Sequence, residues 1–222
     1  MTPHTVRPSE KQVSQTYFQT ARNDNIGVCP FPFTETKMNK IGIFLTLTFG
    51  CALPAAAECL ISPTSIGDVS LGQNLKQVRQ KFPKAKFKRE SDAEGAAFVD
   101  ITLSKDITVS AHLNGDDDPD APLRLNQKII WLGTSSPACR TASGIHPGMK
   151  IQDAEAKLGK LKRISLSEIE MRETAEFTRM PKQMTFRVES GAGIYADPDK
   201  IPNQTRRYRK NSRIETISVS SY

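Results

Sequence analysis

Long apolar runs are missing from this chain. A helix that crosses a bilayer takes roughly 20 apolar residues, and the most apolar stretch, residues 41–50, is too short for that. Aromatic residues are scarce, 7% of 222 with a single tryptophan, so a broad aromatic contact surface has little to be built from. Histidines number three, and neither H-E-x-x-H nor C-x-x-C occurs, so a zinc site has no spacing support. G-x-S-x-G is absent too, and with it the nucleophile elbow of one large hydrolase class. No RRM-type stacking motif accompanies the excess of Lys and Arg, which argues against nucleic acid as a partner. These absences point to a protein that is not an enzyme and holds no cofactor and no metal.

What is present is the order of a secretory signal peptide, displaced from the start of the chain. Asn39 and Lys40 follow Met38 as a short positive region. Residues 41–50 are the apolar core, and Ala55, Ala56 and Ala57 close the segment with small residues. Such a segment is read as it emerges from the ribosome, so translation is expected to begin at Met38. Residues 1–37 are then a mis-assigned, disordered extension and residues 38–57 the signal peptide. The alternative is a real extension, with the apolar run as a weak signal anchor. Cys51 offers a lipidation site, but Phe49 fits a lipobox poorly, and cleavage after Ala57 matches the small-residue order better. The expected compartment is the periplasm or the exterior, with no transmembrane helix in the mature chain.

The mature chain of 165 residues suits one domain or two small ones. Residues 1–57 hold five Lys/Arg and three Asp/Glu of the 31 and 24 in the whole chain, which leaves 26 against 21 and a net charge of +5. That balance favours an acidic partner or serves solubility. Two cysteines remain, Cys59 and Cys139, and an oxidising compartment pairs them. A bridge across so long a loop is worth about 3–5 kcal/mol in the chain-entropy model.

The mature chain reads as two copies of one unit, residues 58–138 and 139–222. Gly72, Leu75, Val78 and Phe82 match Gly148, Ile151, Ala154 and Leu158, with apolar spacings of three, three and four. That stripe predicts a short amphipathic helix in each copy. Alternating Ile, Val, Thr and Phe at 96–103, 107–113 and 128–135, echoed at 175–178, 184–188 and 213–220, predict half-buried antiparallel strands. The expected fold class is therefore α+β: two tandem copies of a short helix packed on an antiparallel sheet.

A long loop precedes each closing strand, and long loops are where function concentrates on small scaffolds. The first is acidic, with Asp116, Asp117, Asp118 and Asp120. It could offer oxygen to calcium, but it lacks the EF-hand order and reads as a solvated tip. The second ends in Arg206, Arg207, Arg209, Lys210 and Arg213, the densest basic run of the chain. These cations, with Tyr195 and Tyr208 adding flat apolar area, are the candidate binding residues for an acidic partner; the bland reading is a solvated loop. His112 reads as a strand histidine, His146 as a turn histidine, and Trp131, which alternates with Ile129, as core packing.

A helix of the form Gly-x-x-Leu/Ile-x-x-Val/Ala-x-x-x-Phe/Leu, repeated in tandem ahead of antiparallel strands, resembles the β-lactamase-inhibitor-protein-like and SmpA/OmlA-type envelope proteins. The resemblance is architectural and covers residues 66–222. It implies a hydrolase bound across a concave sheet face, or assistance to outer-membrane protein assembly. The chain departs from the first group in its few aromatics and from the second in its poor lipobox. The expected function is an exported, non-enzymatic binding protein of the bacterial envelope, an inhibitor or modulator of a protein partner. The alternatives are a structural or assembly factor of the envelope and an enzyme of unrecognised type. Oligomeric state is not legible.

N-terminal sequencing of the exported protein should find Glu58 first. A lipid-bearing Cys51 at the start would contradict the cleavage reading.

Overall fold

The computed structural model describes residues 59–167, 170–197, 199 and 203–221. The N-terminal extension, the signal segment, Cys51 and the junction before Glu58 lie outside them. The described residues open with three short strands, β1 (Cys59–Ser62), β2 (Ser65–Ile66) and β3 (Val69–Ser70), and helix α1 (Leu75–Lys81). Four strands follow: β4 (Lys86–Ser91), β5 (Ala97–Ser104), β6 (Ile107–Leu113) and β7 (Ile129–Thr134). Then come β8 (Cys139–Thr141), helix α2 (Ile151–Leu158), β9 (Leu161–Ser167), β10 (Arg172–Phe177), β11 (Met184–Val188), β12 (Asn203–Thr205) and β13 (Ile214–Ser220).

The expected α+β class is corrected by this architecture, which is mostly β. The two helices among the described residues have 7 and 8 residues. The long strands do not form a separate sheet under each helix. They join in one nine-stranded sheet of order β12-β9-β10-β11-β13-β7-β6-β5-β4, and a second, four-stranded sheet has the order β3-β2-β1-β8. The physical reason is that the closing strands β7 and β13 pair with each other, Ile217 opposite Thr134 and Val219 opposite Leu132. Their main-chain groups would otherwise form open edges, which are costly to leave unpaired. The expected boundary between residues 138 and 139 falls between β7 and β8, and β8 pairs in parallel with β1 across it.

Each helix starts where the sequence supplies a turn. Asn74 caps α1: its side chain accepts from the Gln77 amide at 2.9 Å while the Gln77 side chain accepts from the Asn74 amide at 3.0 Å. That reciprocal cap is worth about 1 kcal/mol. Pro83, just past the last turn, forbids extension. Lys150 gives α2 no side-chain cap, and the Ile151 amide instead donates to Ser212 O at 2.9 Å. Gly72 and Gly148 hold φ of 80° and 84°, which favours glycine, and their amides donate to Ile129 O and Ile214 O at 2.8 and 2.7 Å. Both helices are thus moored to the closing strands β7 and β13.

The core lies on one side of the nine-stranded sheet. Val99, Ile101, Val109, Ala111, Leu132, Phe186 and Ile217 face it from the sheet. Leu75 and Val78 of α1, Ile151, Ala154 and Leu158 of α2, and Ile61, Ile66 and Val69 of the small sheet close it. Full burial of each large aliphatic side chain is worth about 1.5–3 kcal/mol. The small sheet therefore does part of the covering that two short helices cannot.

A disulfide joins Cys59 to Cys139, as the cysteine count predicts, across 80 residues of sequence. It clamps the first strand to β8 where Cys59 and Cys139 sit opposite in register. Replacing both cysteines with alanine should lower stability by about 2–5 kcal/mol in urea unfolding. Thiol labelling of the unfolded, unreduced protein should find neither residue free, and two labelled cysteines would contradict the bond.

Candidate functional site

A flat nine-stranded sheet would hold β10 and β5 about 24 Å apart, at roughly 4.8 Å per strand. Yet Arg172 at the start of β10 donates to Glu94, in the turn between β4 and β5, at 3.0 Å, and lies 3.7 Å from Asp92. The sheet must therefore curl, so that two hairpin tips meet across the face that points away from the core. Burial resists charge on Asp92, but the Ala96 and Glu94 amides and the Arg172 guanidinium outweigh it and hold its carboxyl below the usual range. The curled face encloses an open cleft of about 870 Å³.

Register defines the cleft floor. Asp100, Ser110, Gly133, Ser218 and Thr185 lie in one cross-strand row, and Thr216, Arg187, Thr174 and Ser165 in another. Small hydroxyl side chains dominate both rows, which leaves room and many donors and acceptors. A third row carries the aromatic rings. Phe98 lies 6.0 Å from His112, and His112 meets Trp131 edge-on at 4.9 Å.

Trp131 is not core packing, contrary to its alternation with Ile129. The pairing of β6 with β7 shifts by one residue, His112 opposite Trp131 but Leu113 opposite Ile129, so Ile130 is an extra residue. Such a bulge reverses the facing of everything beyond it. Ile129 points into the core and Trp131 into the cleft, half-buried. Gly133 makes this possible: a Cβ there would lie 2.3 Å from the indole ring. Glycine inside a strand, a mark of close approach, was the available signal.

His112 sits in the cleft with Nδ1 3.0 Å from Ala97 O. A carbonyl only accepts, so Nδ1 is the donor in this contact. Ser110 Oγ donates to Asp100 at 2.6 Å rather than to His112. No hydrogen bond therefore joins a nucleophile to this imidazole among the described residues. His146 keeps to its turn, with Nδ1 2.8 Å from Pro147 O.

The sequence-derived binding residues are gathered elsewhere. Arg206, Arg207, Arg209 and Lys210 are exposed, form no ion pair among the described residues, and do not line the cleft. Their backbone is pinned: Arg209 N donates to Ala192 O at 2.8 Å and Ile194 N to Arg207 O at 2.9 Å. Arg206 Nε reaches Lys162 O at 3.1 Å, and Arg213 reaches Gly148 O. The two tyrosines are half-buried. Tyr208 OH donates to Glu155 at 2.6 Å, beside α2. Tyr195 packs over Gly193, and burial beside Glu173 pushes its hydroxyl well above the usual tyrosine range. Glu173, itself buried, accepts from the Gly191 and Gly193 amides at 2.8 and 2.6 Å.

In the acidic loop Asp117, Asp118 and Asp120 are exposed, as a solvated tip requires, but Asp116 is not. Asp116 is 6% exposed and takes both its oxygens to Arg89, at 2.9 and 2.6 Å, while Arg89 also donates to Asp118 O. A buried carboxylate needs such a partner; here it comes from β4, 27 residues back in the chain. Among the described residues no group of three or more His, Cys, Asp or Glu is placed to hold a metal ion.

No family model matches the chain, and no curated protein matches it. A crystal structure of the uncharacterized protein yfeY from Escherichia coli is similar over 72% of this chain and 98% of that one, at 10% identity and a TM-score of 0.46. No helix among the described residues is long and apolar enough to cross a membrane.

Burial, with the Glu155 bond and charge, pushes the Tyr208 pKa up to about 12 from an ordinary 10. The folded state thus favours the neutral phenol. Its contribution to stability is complete below pH 10 and is lost as pH rises through about 12. Urea midpoints should fall across that window, and fall less in Tyr208→Phe. Equal falls in both proteins would contradict the assignment.

Proposed function

We propose that this protein is an exported, non-enzymatic binding protein of the bacterial envelope that holds a segment of a protein partner in the concave cleft. The observation that carries this reading is the half-buried Trp131, set with His112 and Phe98 among rows of hydroxyl side chains. Tryptophan is the side chain most enriched at interface hot spots. Hydroxyl rows match the amides and carbonyls of an extended chain. The disulfide suits an oxidising compartment, which supports a periplasmic or secreted location. Inhibition or modulation of the partner would follow from occupying its exposed segment. The basic run, exposed but away from the cleft, would steer an acidic partner at a distance; such charges set association rate and salt dependence more than affinity.

The chain has one tryptophan, so its fluorescence reports on the cleft alone. Affinity capture from envelope extract should retain a soluble hydrolase on the wild type and lose it on Trp131→Ala. Titration of that partner should shift wild-type emission. Retention by both proteins, with no change in emission, would refute the cleft. Recovery of outer-membrane assembly proteins would favour the assembly-factor reading.

A further inference from the structure

A second cavity, of about 390 Å³, lies beside the disulfide-linked strands β1 and β8, away from the cleft. Its apolar lining is drawn from Leu60, Pro63, Leu158, Pro181, Met184 and Phe186. Leu60 is 51% exposed, a large aliphatic side chain left to water. Two cations line the same cavity, Lys157 and Arg179, and no Asp or Glu does. Each is held by a carbonyl: Lys157 Nζ donates to Ser143 O at 3.1 Å and Arg179 to Lys157 O at 3.4 Å. Neither forms an ion pair among the described residues. Both keep unused donors for an anion.

We propose that this cavity binds a free single-chain fatty carboxylate, its tail against the apolar lining and its head group at Lys157 and Arg179. The volume lies at the small end of the range for ligand pockets, which suits one acyl chain and not two. Two cations match one carboxylate, whereas basic patches that read anionic membranes gather about four to eight Lys or Arg. An apolar lining combined with uncompensated positive charge is the complement of a single-chain anionic amphiphile. The site is separate from the cleft and does not depend on the function proposed for it.

Calorimetric titration of the purified protein with octanoate, decanoate and dodecanoate tests this. Affinity should rise about fourfold per added methylene, as burial of each CH₂ implies. The double variant Lys157→Ala/Arg179→Ala should bind dodecanoate about tenfold more weakly, while Arg179→Lys keeps most of the affinity. Ala142→Trp, at an exposed lining position, should block the cavity without entering the core. Trp131→Ala should bind dodecanoate normally. No binding of dodecanoate, undiminished binding by Ala142→Trp, loss of binding in Trp131→Ala, or binding only to phosphatidylglycerol vesicles would each overturn the proposal.

Discussion

The pairing of β7 with β13 is the interaction on which the rest of the structure depends. It turns the two strand runs into one sheet and places Gly133 opposite Ser218 at its middle. Both helices hang from these same strands, through the Gly72 and Gly148 amides. The core on one side and the cleft on the other are two faces of that seam. Without it, each half would keep a short helix over a few strands and an exposed edge, a poor basis for burying apolar area.

Polar groups then fix the shape that the seam permits. Arg172 draws two distant hairpin tips together, and Arg89 with Asp116 closes the acidic loop onto β4. The two contacts differ in worth. The Arg172 pairs are partly exposed and contribute about 0–1 kcal/mol each. The Arg89–Asp116 pair is nearly enclosed, so removing one partner would strand a buried charge at a cost of about 3–5 kcal/mol. Curvature is thus held lightly, while the loop beside the cleft is held firmly.

Local features were the legible ones. The helices α1 and α2 stand where apolar spacings of three, three and four place them, and strands β5, β6, β7, β11 and β13 carry the Ile, Val and Thr alternation of half-buried strands. Strand β4 was hidden because it is an edge of Lys, Arg and Glu, a composition that protects edges and reads as loop. Strands β2 and β3, two residues each, have no periodicity to detect. With those strands unseen, the helices looked like the main cover of the core, and the fold class came out too helical. The facing of Trp131 turns on a single residue: Ile130 in the β7 bulge directs Trp131 to the cleft and not to the core. The basic run was legible as exposed charge, but the tyrosines within reach of Glu155 and Glu173 were not, because those carboxylates lie far away in sequence.

The two halves form one continuous sheet whose seam holds the cleft open. Native-state amide hydrogen exchange at residues 131–134 and 217–220 addresses that continuity most directly. These amides should exchange only through global unfolding, with the same denaturant dependence as the core of β6 and β11. Exchange through a lower-energy opening, with the seam amides released while β5–β6 and β10–β11 stay protected, would show two halves docked loosely and would contradict it.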